Sequence, residues 1–350
     1  MSKESSISYF AASNSADGFK SYFERVFDPK KYSRVYIIKG GPGTGKSRFM
    51  KKIAQVGEER GFFVERVYCS SDPHSLDGVI IPALKVAVVD GTAPHVYEPH
   101  LPGALESIVD MGELWNPSLL MGSRRIIEEL NEQKKRCFER GYRYLAAYKR
   151  VSENMEQMIR RAVKLDKIKK FAARFAAMSQ SGEGTEEYRL ANSIGMSGRF
   201  GFDTYRAQAG VYYEINDYFE TGHFLLREIY NAQKEKRADL IISPNPILCD
   251  RLDALSVMPQ GLTFEIGDSG SDDIRNINMK RFVNTVDIIA IRSNIRLATR
   301  LRDGIYDMAA LEFENVKKYH FTLEEIYGAA MDFEAKEQLE NEFCKKIFDK

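Results

Sequence analysis

The amino-acid sequence predicts an α/β protein made of two α/β halves, the first with a parallel sheet and a long helical insertion. One observation is that the β-branched run at 34–39 ends in glycines and is followed at once by an amphipathic helix at 45–59. Another is that apolar runs at 62–70 and 85–91 come next, as expected for strands of a doubly wound sheet. The third is that a similar pattern recurs after residue 188.

The elements of the first half follow from the spacing of apolar and turn residues. The segment 18–27 is amphipathic and predicts a short helix before the first strand. The helix at 45–59 is predicted because apolar residues recur on one face, namely Phe49, Met50, Ile53 and Val56. Residues 71–78 have turn chemistry, and three prolines indicate a loop at 92–103.

A helical insertion is predicted from about 104 to 178, where apolar residues recur at intervals of three and four. It is the basic part of the chain. Residues 124–174 hold 16 Lys/Arg against 7 Asp/Glu, whereas the whole chain holds 51 against 50. The polar, glycine-containing stretch 180–187 predicts a linker. We therefore expect one domain at 1–179 and a second at 188–350.

The second half is predicted to be a degenerate copy of the first. Residues 35–53 align with 211–229 without a gap, and the alignment continues to 76–77 over 252–253. Few aligned pairs are identical, so two unrelated α/β segments are the alternative. Strands are predicted at 210–215, 238–243, 262–267 and 286–291, with mostly helix at 295–350.

The glycine-rich segment 40–47 predicts a phosphate-binding loop. It has the spacing G-x-x-x-x-G-K-[ST] of a P-loop, or Walker A motif, between a strand and a helix. The glycines let successive backbone N–H groups turn toward an anion, at which the next helix also points its N-terminus. Lys46 would bind the β- and γ-phosphates, and Ser47 would ligate Mg²⁺. The predicted nucleotide-binding residues are Gly40, Gly41, Pro42, Gly43, Thr44, Gly45, Lys46 and Ser47.

Asp90, at the end of an apolar strand, is predicted as the second Mg²⁺ ligand, in the Walker B position. Many ATPases carry a glutamate directly after this aspartate, but here the next residue is Gly91. A catalytic base must then come from elsewhere. Asp72, His74 and Asp77 follow the second strand and His95 follows Asp90, at the ends of strands where ligands bind in α/β proteins, so all four are candidates. Asp77 and His95 are the two that we select. We predict both as catalytic, together with Lys46 and Asp90; a role in a turn or helix cap is the alternative for Asp77, Asp90 and His95.

Two other kinds of site are weakly indicated. Asp72, His74, His95 and His100 match no known spacing of metal ligands. The basic helices contain tyrosines and invite a nucleic-acid interpretation. Glutamates interspersed among the basic residues instead favour a solvated helix face, so we expect no nucleic-acid partner.

Composition favours a cytoplasmic protein without a membrane partner. No run approaches the roughly 18 apolar residues of a membrane-spanning helix. The first ten residues lack the pattern of a signal peptide. The four cysteines are scattered, which is typical of a reducing compartment.

The stretch from Ser8 to about Leu145 resembles a family of uncharacterised bacterial P-loop ATP-binding proteins, known mainly from spore-forming Firmicutes. The segments that carry the resemblance are YFAASNSADGF, IIKGGPGTGKS, CSSDPHSLDGVIIP, VAVVDGTAPH and GYRYLAAYK. Members are tandem P-loop repeats regarded as ATPases or as nucleotide-kinase-like proteins, with no settled substrate. The resemblance implies that residues 40–47 and Asp90 bind Mg-ATP. The second half departs from the pattern, since NDYFETGH at 216–223 replaces a second glycine loop.

The expected function is that of a Mg²⁺-dependent ATPase whose turnover drives a conformational change. A phosphotransferase is an alternative, because the missing glutamate after Asp90 suits transfer to a bound hydroxyl as well as to water. A nucleotide-sensing switch with little turnover, acting through a protein partner, is a third. The expected ligands are ATP and Mg²⁺.

Overall fold

A computed structural model describes residues 6–267 and 274–349. The first half contains β1 (Ser6–Phe10), β2 (Ala12–Ser15), β3 (Gly18–Ser21), α1 (Phe23–Val26), β4 (Arg34–Lys39), α2 (Lys46–Glu59), β5 (Val64–Tyr68), β6 (Leu76–Ile81), β7 (Val86–Asp90), β8 (Glu106–Asp110), α3 (Pro117–Gly122), α4 (Arg124–Arg160) and α5 (Leu165–Met178). The second contains β9 (Glu186–Tyr188), β10 (Asn192–Gly195), β11 (Gly198–Gly201), α6 (Thr204–Ala207), β12 (Val211–Asn216), α7 (Gly222–Glu235), β13 (Asp239–Pro244), β14 (Leu252–Met258), β15 (Leu262–Gly267), β16 (Arg275–Asn278), α8 (Thr285–Gly328) and α9 (Phe333–Phe348).

Two six-stranded sheets carry the fold, and they have the same topology. The strand order is β1-β5-β6-β7-β4-β8 in the first sheet and β9-β13-β14-β15-β12-β16 in the second. In each sheet the third strand runs antiparallel to both neighbours, and the other pairs are parallel. Helices α2 and α7 also begin at positions paired by the gapless alignment. This shared order supports a tandem duplication of an α/β unit.

The predicted parallel sheet is wrong, because each sheet is mixed. The connection from β5 to β6 spans residues 69–75, and that from β6 to β7 spans 82–85. A parallel pair needs a crossover of a dozen or more residues, so such short connections force β6 to run antiparallel to both neighbours. The turn-like sequence of 71–78 concealed the start of β6.

Three other predicted elements differ from the structure. Residues 18–27 form part of a hairpin and the one-turn helix α1. The insertion predicted as helical from 104 begins with the edge strand β8. The predicted strand 286–291 is the first part of α8, which begins where the Asn284 side chain accepts a hydrogen bond from the Val286 amide. A short apolar run fits either period, and here the cap decides for the helix.

The long helices α4 and α8 pack side by side in opposite directions. The antiparallel order follows from the contacts of Arg140 with Glu312 and of Arg302 with the ring of Tyr148. A side chain at Gly141 would lie 2.6 Å from the ring of Phe313, so this glycine allows the two helices to approach closely. The pair therefore bridges both halves of the protein.

Each half contributes its last helix to the core of the other. Helix α5 buries Ile168, Ala172 and Phe175 in the cluster around the second sheet. Helix α9 buries Phe343 and Ile347 in a cluster against α2 and the first sheet. The domain boundaries 1–179 and 188–350 remain predictions. Each of the two hydrophobic cores contains residues from both of these segments.

Among the described residues, none of the helices is both long enough and apolar enough to cross a membrane.

Candidate functional site

The glycine-rich loop 40–47 connects β4 to α2 at the carboxyl end of β4 in the first sheet. Strands β4 and β7 are parallel, and their register places Ile38 opposite Asp90, so the loop starts beside this carboxylate. Gly40, Gly43 and Gly45 have φ angles of +152°, +73° and +78°, which side-chain-bearing residues rarely adopt. The loop conformation therefore requires glycines at these positions.

Lys46, the first residue of α2, folds back over this loop. Its Nζ donates hydrogen bonds to the carbonyl oxygens of Gly40 (2.8 Å) and Gly41 (2.9 Å), and it lies 3.6 Å from Asp90 Oδ2. Within the described structure, no side chain caps the first turn of α2. The free N–H groups of that turn and the Lys46 ammonium make this end of the helix electropositive.

Asp90 is buried beside this cation. Its Oδ1 accepts hydrogen bonds from the Thr92 amide (2.9 Å) and hydroxyl (2.5 Å). Burial raises the pKa of Asp90 above its usual value, although Lys46 opposes the shift. Ser47 Oγ accepts a hydrogen bond from the Leu76 amide at 2.9 Å, which fixes the hydroxyl next to the start of β6. Both residues line the same cavity.

Helices α8 and α9, from the second half of the chain, pack against the loop. A side-chain carbon at Gly43 would lie 2.4 Å from the carbonyl oxygen of Glu324 on α8. One at Gly45 would lie 2.5 Å from the Lys336 side chain on α9. Gly43 is thus needed for packing as well as for backbone conformation, because its neighbour is a backbone atom, whereas the Lys336 side chain next to Gly45 could move.

Asp77 and His95, both predicted as catalytic, are brought together. The antiparallel β6 carries Asp77 to the same sheet edge at which β7 ends. His95 Nε2 lies 2.9 Å from Asp77 Oδ2, and its ring stacks on Phe23 with centroids 4.3 Å apart. Burial lowers the pKa of His95, whereas the carboxylates of Asp77 and Asp90 raise it, and the net direction is upward. Cys69, at the end of β5, lies against the same pair.

Gly91 explains why no glutamate follows Asp90. A side-chain carbon at this position would lie 2.4 Å from Ile37 Cγ2 and 3.0 Å from the Tyr97 carbonyl oxygen. Neither neighbour leaves room for a longer side chain. A catalytic glutamate at this position is therefore excluded by packing.

The inner side of the loop opens into a cavity of about 930 Å³. Helices α4 and α8 also line this cavity, through side chains that include Lys134, Tyr142 and His320. Burial lowers the pKa of Lys134, the Lys46 ammonium lowers it further, and Glu324 opposes the shift. Two cations from different elements thus face one cavity closely enough to repel each other.

The counterpart of the loop in the second half is filled by its own side chains. Asp217 Oδ1 accepts hydrogen bonds from the amides of Tyr218 (2.9 Å) and Gly222 (2.7 Å), so a carboxylate already caps α7. Glu220, at a φ of +58°, pairs with Arg302 of α8. His223, aligned with Ser47, lies 3.3 Å from a carboxylate oxygen of Glu156. At this end of the second sheet, the carboxylate of Asp217 bonds to the start of α7 and that of Glu220 lies beside it, so the local charge disfavours an anion.

Sequence reasoning missed two residues of the site and included others that lie outside its centre. Cys69 was predicted in no role, and Lys134 was considered only as part of the basic helices; the pairing of β5 with β6 and the docking of α4 place them at the cavity. Asp72 lines the cavity but caps its own turn, through bonds to the His74 amide and the Ser75 hydroxyl. His74 and His100 are exposed.

The chain matches no protein-family model, and searches of curated proteins and of solved structures give no significant match.

Proposed function

We propose that this protein binds Mg-ATP in the cavity at loop 40–47 and hydrolyses it. The observation that carries the proposal is the uncapped N-terminus of α2, where Lys46 and Asp90 lie 3.6 Å apart at the floor of a large cavity. A helix N-terminus with a lysine favours phosphate groups, and a buried carboxylate beside it favours a hard cation. The resemblance to tandem P-loop proteins points in the same direction.

The residues of the loop have distinct tasks in this proposal. The backbone N–H groups of 40–47 surround the β- and γ-phosphates, and Lys46 exchanges its two carbonyl contacts for phosphate oxygens. Ser47 and Asp90 provide the oxygen ligands that Mg²⁺ prefers, and the ion would neutralise charge on the phosphates. Lys134 adds a second cation from α4, and an anion between the two lysines would relieve their mutual repulsion.

The buried Asp77–His95 pair would be the proton acceptor, among several titratable side chains that line the cavity. The Asp77 carboxylate stabilises the charged form of the imidazole, so His95 can take a proton from water as it attacks. His95 lies on the loop after β7, and Asp77 lies at the start of β6. Both are near Asp90 in space, although neither follows it directly in the sequence. This arrangement replaces the glutamate that packing excludes at position 91.

Phosphoryl transfer to a bound hydroxyl is the second candidate, and the depth of the cavity favours it. The space extends from the loop to α4 and α8, where Tyr142, Glu139 and His320 offer polar groups for an acceptor. The same proton acceptor would serve either water or such a hydroxyl.

Calorimetric titration with Mg-ATP and a phosphate-release assay test the proposal. The wild type should bind about one nucleotide per chain, because the second-half loop is filled. Lys46→Ala should bind about 10- to 100-fold more weakly, since it loses charge-assisted hydrogen bonds of about 1.5–3 kcal/mol. Lys51→Ala, on the exposed side of the same helix, is the matched control and should bind as the wild type does.

Two further results sharpen this test. Asp90→Asn should retain most nucleotide affinity but lose Mg²⁺ dependence and turnover. Phosphate release with ATP alone supports hydrolysis. Formation of ADP without phosphate release, seen only with an added metabolite pool, supports transfer of the phosphoryl group to an acceptor in that pool, and binding without ADP formation indicates a switch. Absence of wild-type binding, or a folded Lys46→Ala variant with unchanged affinity, contradicts the proposal.

A further inference from the structure

We propose that Cys69, Asp77 and His95 form a binding site for a zinc-like transition-metal ion, distinct from the Mg²⁺ position proposed at Ser47 and Asp90. The three side chains each offer one ligand atom, and these atoms all lie within 4.8 Å of one another. They come from three separate segments, namely the end of β5, the start of β6 and the loop after β7. All three line the cavity.

The polar atoms of this cluster lack the hydrogen bonds that buried groups normally have. Asp77 and His95 are 4% and 7% exposed. In the described structure, His95 Nδ1 has no hydrogen-bond partner, and the contact of Asp77 Oδ2 with His95 Nε2 at 2.9 Å lacks the geometry of a hydrogen bond. Leaving such groups unpaired is unfavourable, so the site as folded favours a ligand that accepts their lone pairs.

The second half provides an internal comparison. Asn245 and Asp253 are the counterparts of Cys69 and Asp77, since the Asn245 amide bonds to the Arg251 carbonyl as the Cys69 amide bonds to that of Ser75. Asp253 accepts hydrogen bonds from Asn245 (2.8 Å) and Asn192 (3.3 Å). The same strand geometry therefore supports a satisfied amide–carboxylate pair. The first half instead places a thiol and an imidazole against its aspartate.

The donor set selects the class of metal. A thiolate, an imidazole nitrogen and a carboxylate oxygen are ligands of Zn²⁺, whereas Mg²⁺ prefers oxygen alone. With Cys69 and Asp77 ionised and His95 neutral, the charge of a divalent ion is balanced, which suits a buried position. Burial and the Asp77 carboxylate raise the pKa of the Cys69 thiol, so a metal ion must displace the thiol proton when it binds. With the metal bound, His95 would be a ligand, so metal binding and the proposed role of His95 as a proton acceptor exclude each other.

Titration of the metal-free protein with Co²⁺, without nucleotide, tests the site. Co²⁺ replaces Zn²⁺ at such sites and absorbs visibly, with a thiolate charge-transfer band that requires a bound cysteine. We expect about one Co²⁺ per chain with this band, its displacement by Zn²⁺, and a Zn²⁺-dependent rise in the unfolding temperature. Cys69→Ser should lose the band, and His95→Gln should bind Co²⁺ more weakly.

Cys249→Ser and His74→Gln are the matched controls, because they remove a thiol and an imidazole outside the cluster. Both should give the wild-type spectrum. A wild type without the charge-transfer band overturns the proposal even if the Cys69 variant fails to fold, and so does a band that persists in folded Cys69→Ser. Because no nucleotide is present, the result is independent of the proposed ATPase activity.

Discussion

The surroundings of His95 shift the pKa of its imidazole in opposite directions. Its ring lies between Phe19 and Phe23, with centroids at 5.1 Å and 4.3 Å, and this burial lowers the pKa. The Asp77 carboxylate and, more weakly, Asp90 raise it, and the net result is a pKa above the usual 6.5. The imidazole therefore holds its proton more tightly in the folded protein than in the unfolded chain.

This difference predicts a pH-dependent contribution to stability. Since the folded pKa lies above the unfolded one, the contribution is fully present below about pH 6.5 and is lost as the pH rises through the folded pKa. The free energy of unfolding of the wild type should therefore exceed that of His95→Gln most at low pH, and the difference should shrink with rising pH. Urea titrations at pH values from below 6.5 to above the folded pKa, with a chelator present, measure this difference in the free energy of unfolding.

The control for this experiment is His74→Gln, which removes an exposed histidine from the same edge of the sheet. Its unfolding free energy should follow that of the wild type at every pH. If the difference between wild type and His95→Gln were the same at both ends of the range, the Asp77 pairing would not be its source.

The predictability of each site residue depends on the range of the interaction that places it. Lys46 and Ser47 belong to a continuous motif whose chemistry is local, so the sequence predicts them and the structure places them at one cavity. The sequence pattern assigns Asp77 to a turn, whereas this residue lies on a strand. Cys69 could not be predicted, because only the pairing of β5 with β6 brings its thiol to Asp77.

At the scale of elements, the contact between the loop and α8 predicts unequal costs for two similar substitutions. Gly43 and Gly61 both have positive φ angles, +73° and +81°, so alanine at either costs about 1–2 kcal/mol in backbone strain. Only at Gly43 would the new carbon also meet a backbone carbonyl oxygen, that of Glu324, at 2.4 Å. Gly43→Ala should therefore destabilise the protein by about 1–3 kcal/mol more than Gly61→Ala.

Chemical denaturation of the two variants measures this difference. Gly61 has no atom within 4 Å of the added carbon among the described residues, so it isolates the backbone term. Equal free energies of unfolding for the two variants would mean that α8 does not press on the loop.

Because α9 packs on the first sheet, a substitution in α9 should destabilise the first half of the protein. Phe343 is 5% exposed and packs edge-on against Tyr36, with ring centroids 4.5 Å apart, in the core of the first sheet. Phe343→Ala should destabilise the protein by about 3–5 kcal/mol. Hydrogen exchange should then rise in α2, which α9 covers, more than in α7.

Phe333→Ala is the matched control, since Phe333 lies on the same helix and is 54% exposed. It should change the unfolding free energy by no more than about 0.5 kcal/mol. A loss of protection concentrated in α7 would contradict the packing of α9 on the first sheet.

Some elements could be predicted from the local sequence and others could not, for a physical reason. The strand β4 and the helix α2 are long, periodic and bounded by glycines, so local pattern suffices. Residues 286–291 are apolar without a clear period, and the Asn284 cap assigns them to α8. The exchange of α5 and α9 depends on which sheet each apolar face meets, and no local pattern contains that information.

At the scale of the whole molecule, the two halves are held together by more than their linker. Helix α4 packs along α8, α5 completes the second core and α9 completes the first. Separation of the halves would expose Phe175 and Phe343, each worth about 1.5–3 kcal/mol of burial, in addition to the whole α4–α8 interface. We therefore expect the halves to stay together without covalent continuity at the linker.

Cleavage of the linker should for this reason leave a single particle. A protease site inserted between Gln180 and Ser181, both exposed, cuts the chain after α5 has ended. The two fragments should elute together in size-exclusion chromatography under native conditions and separately in denaturant. In the same nicked protein, Phe343→Ala should lower the denaturant concentration at which they separate, while Phe333→Ala should not. Fragments that elute apart while each remains folded would mean that the halves are independent domains and that the helix exchange does not hold them.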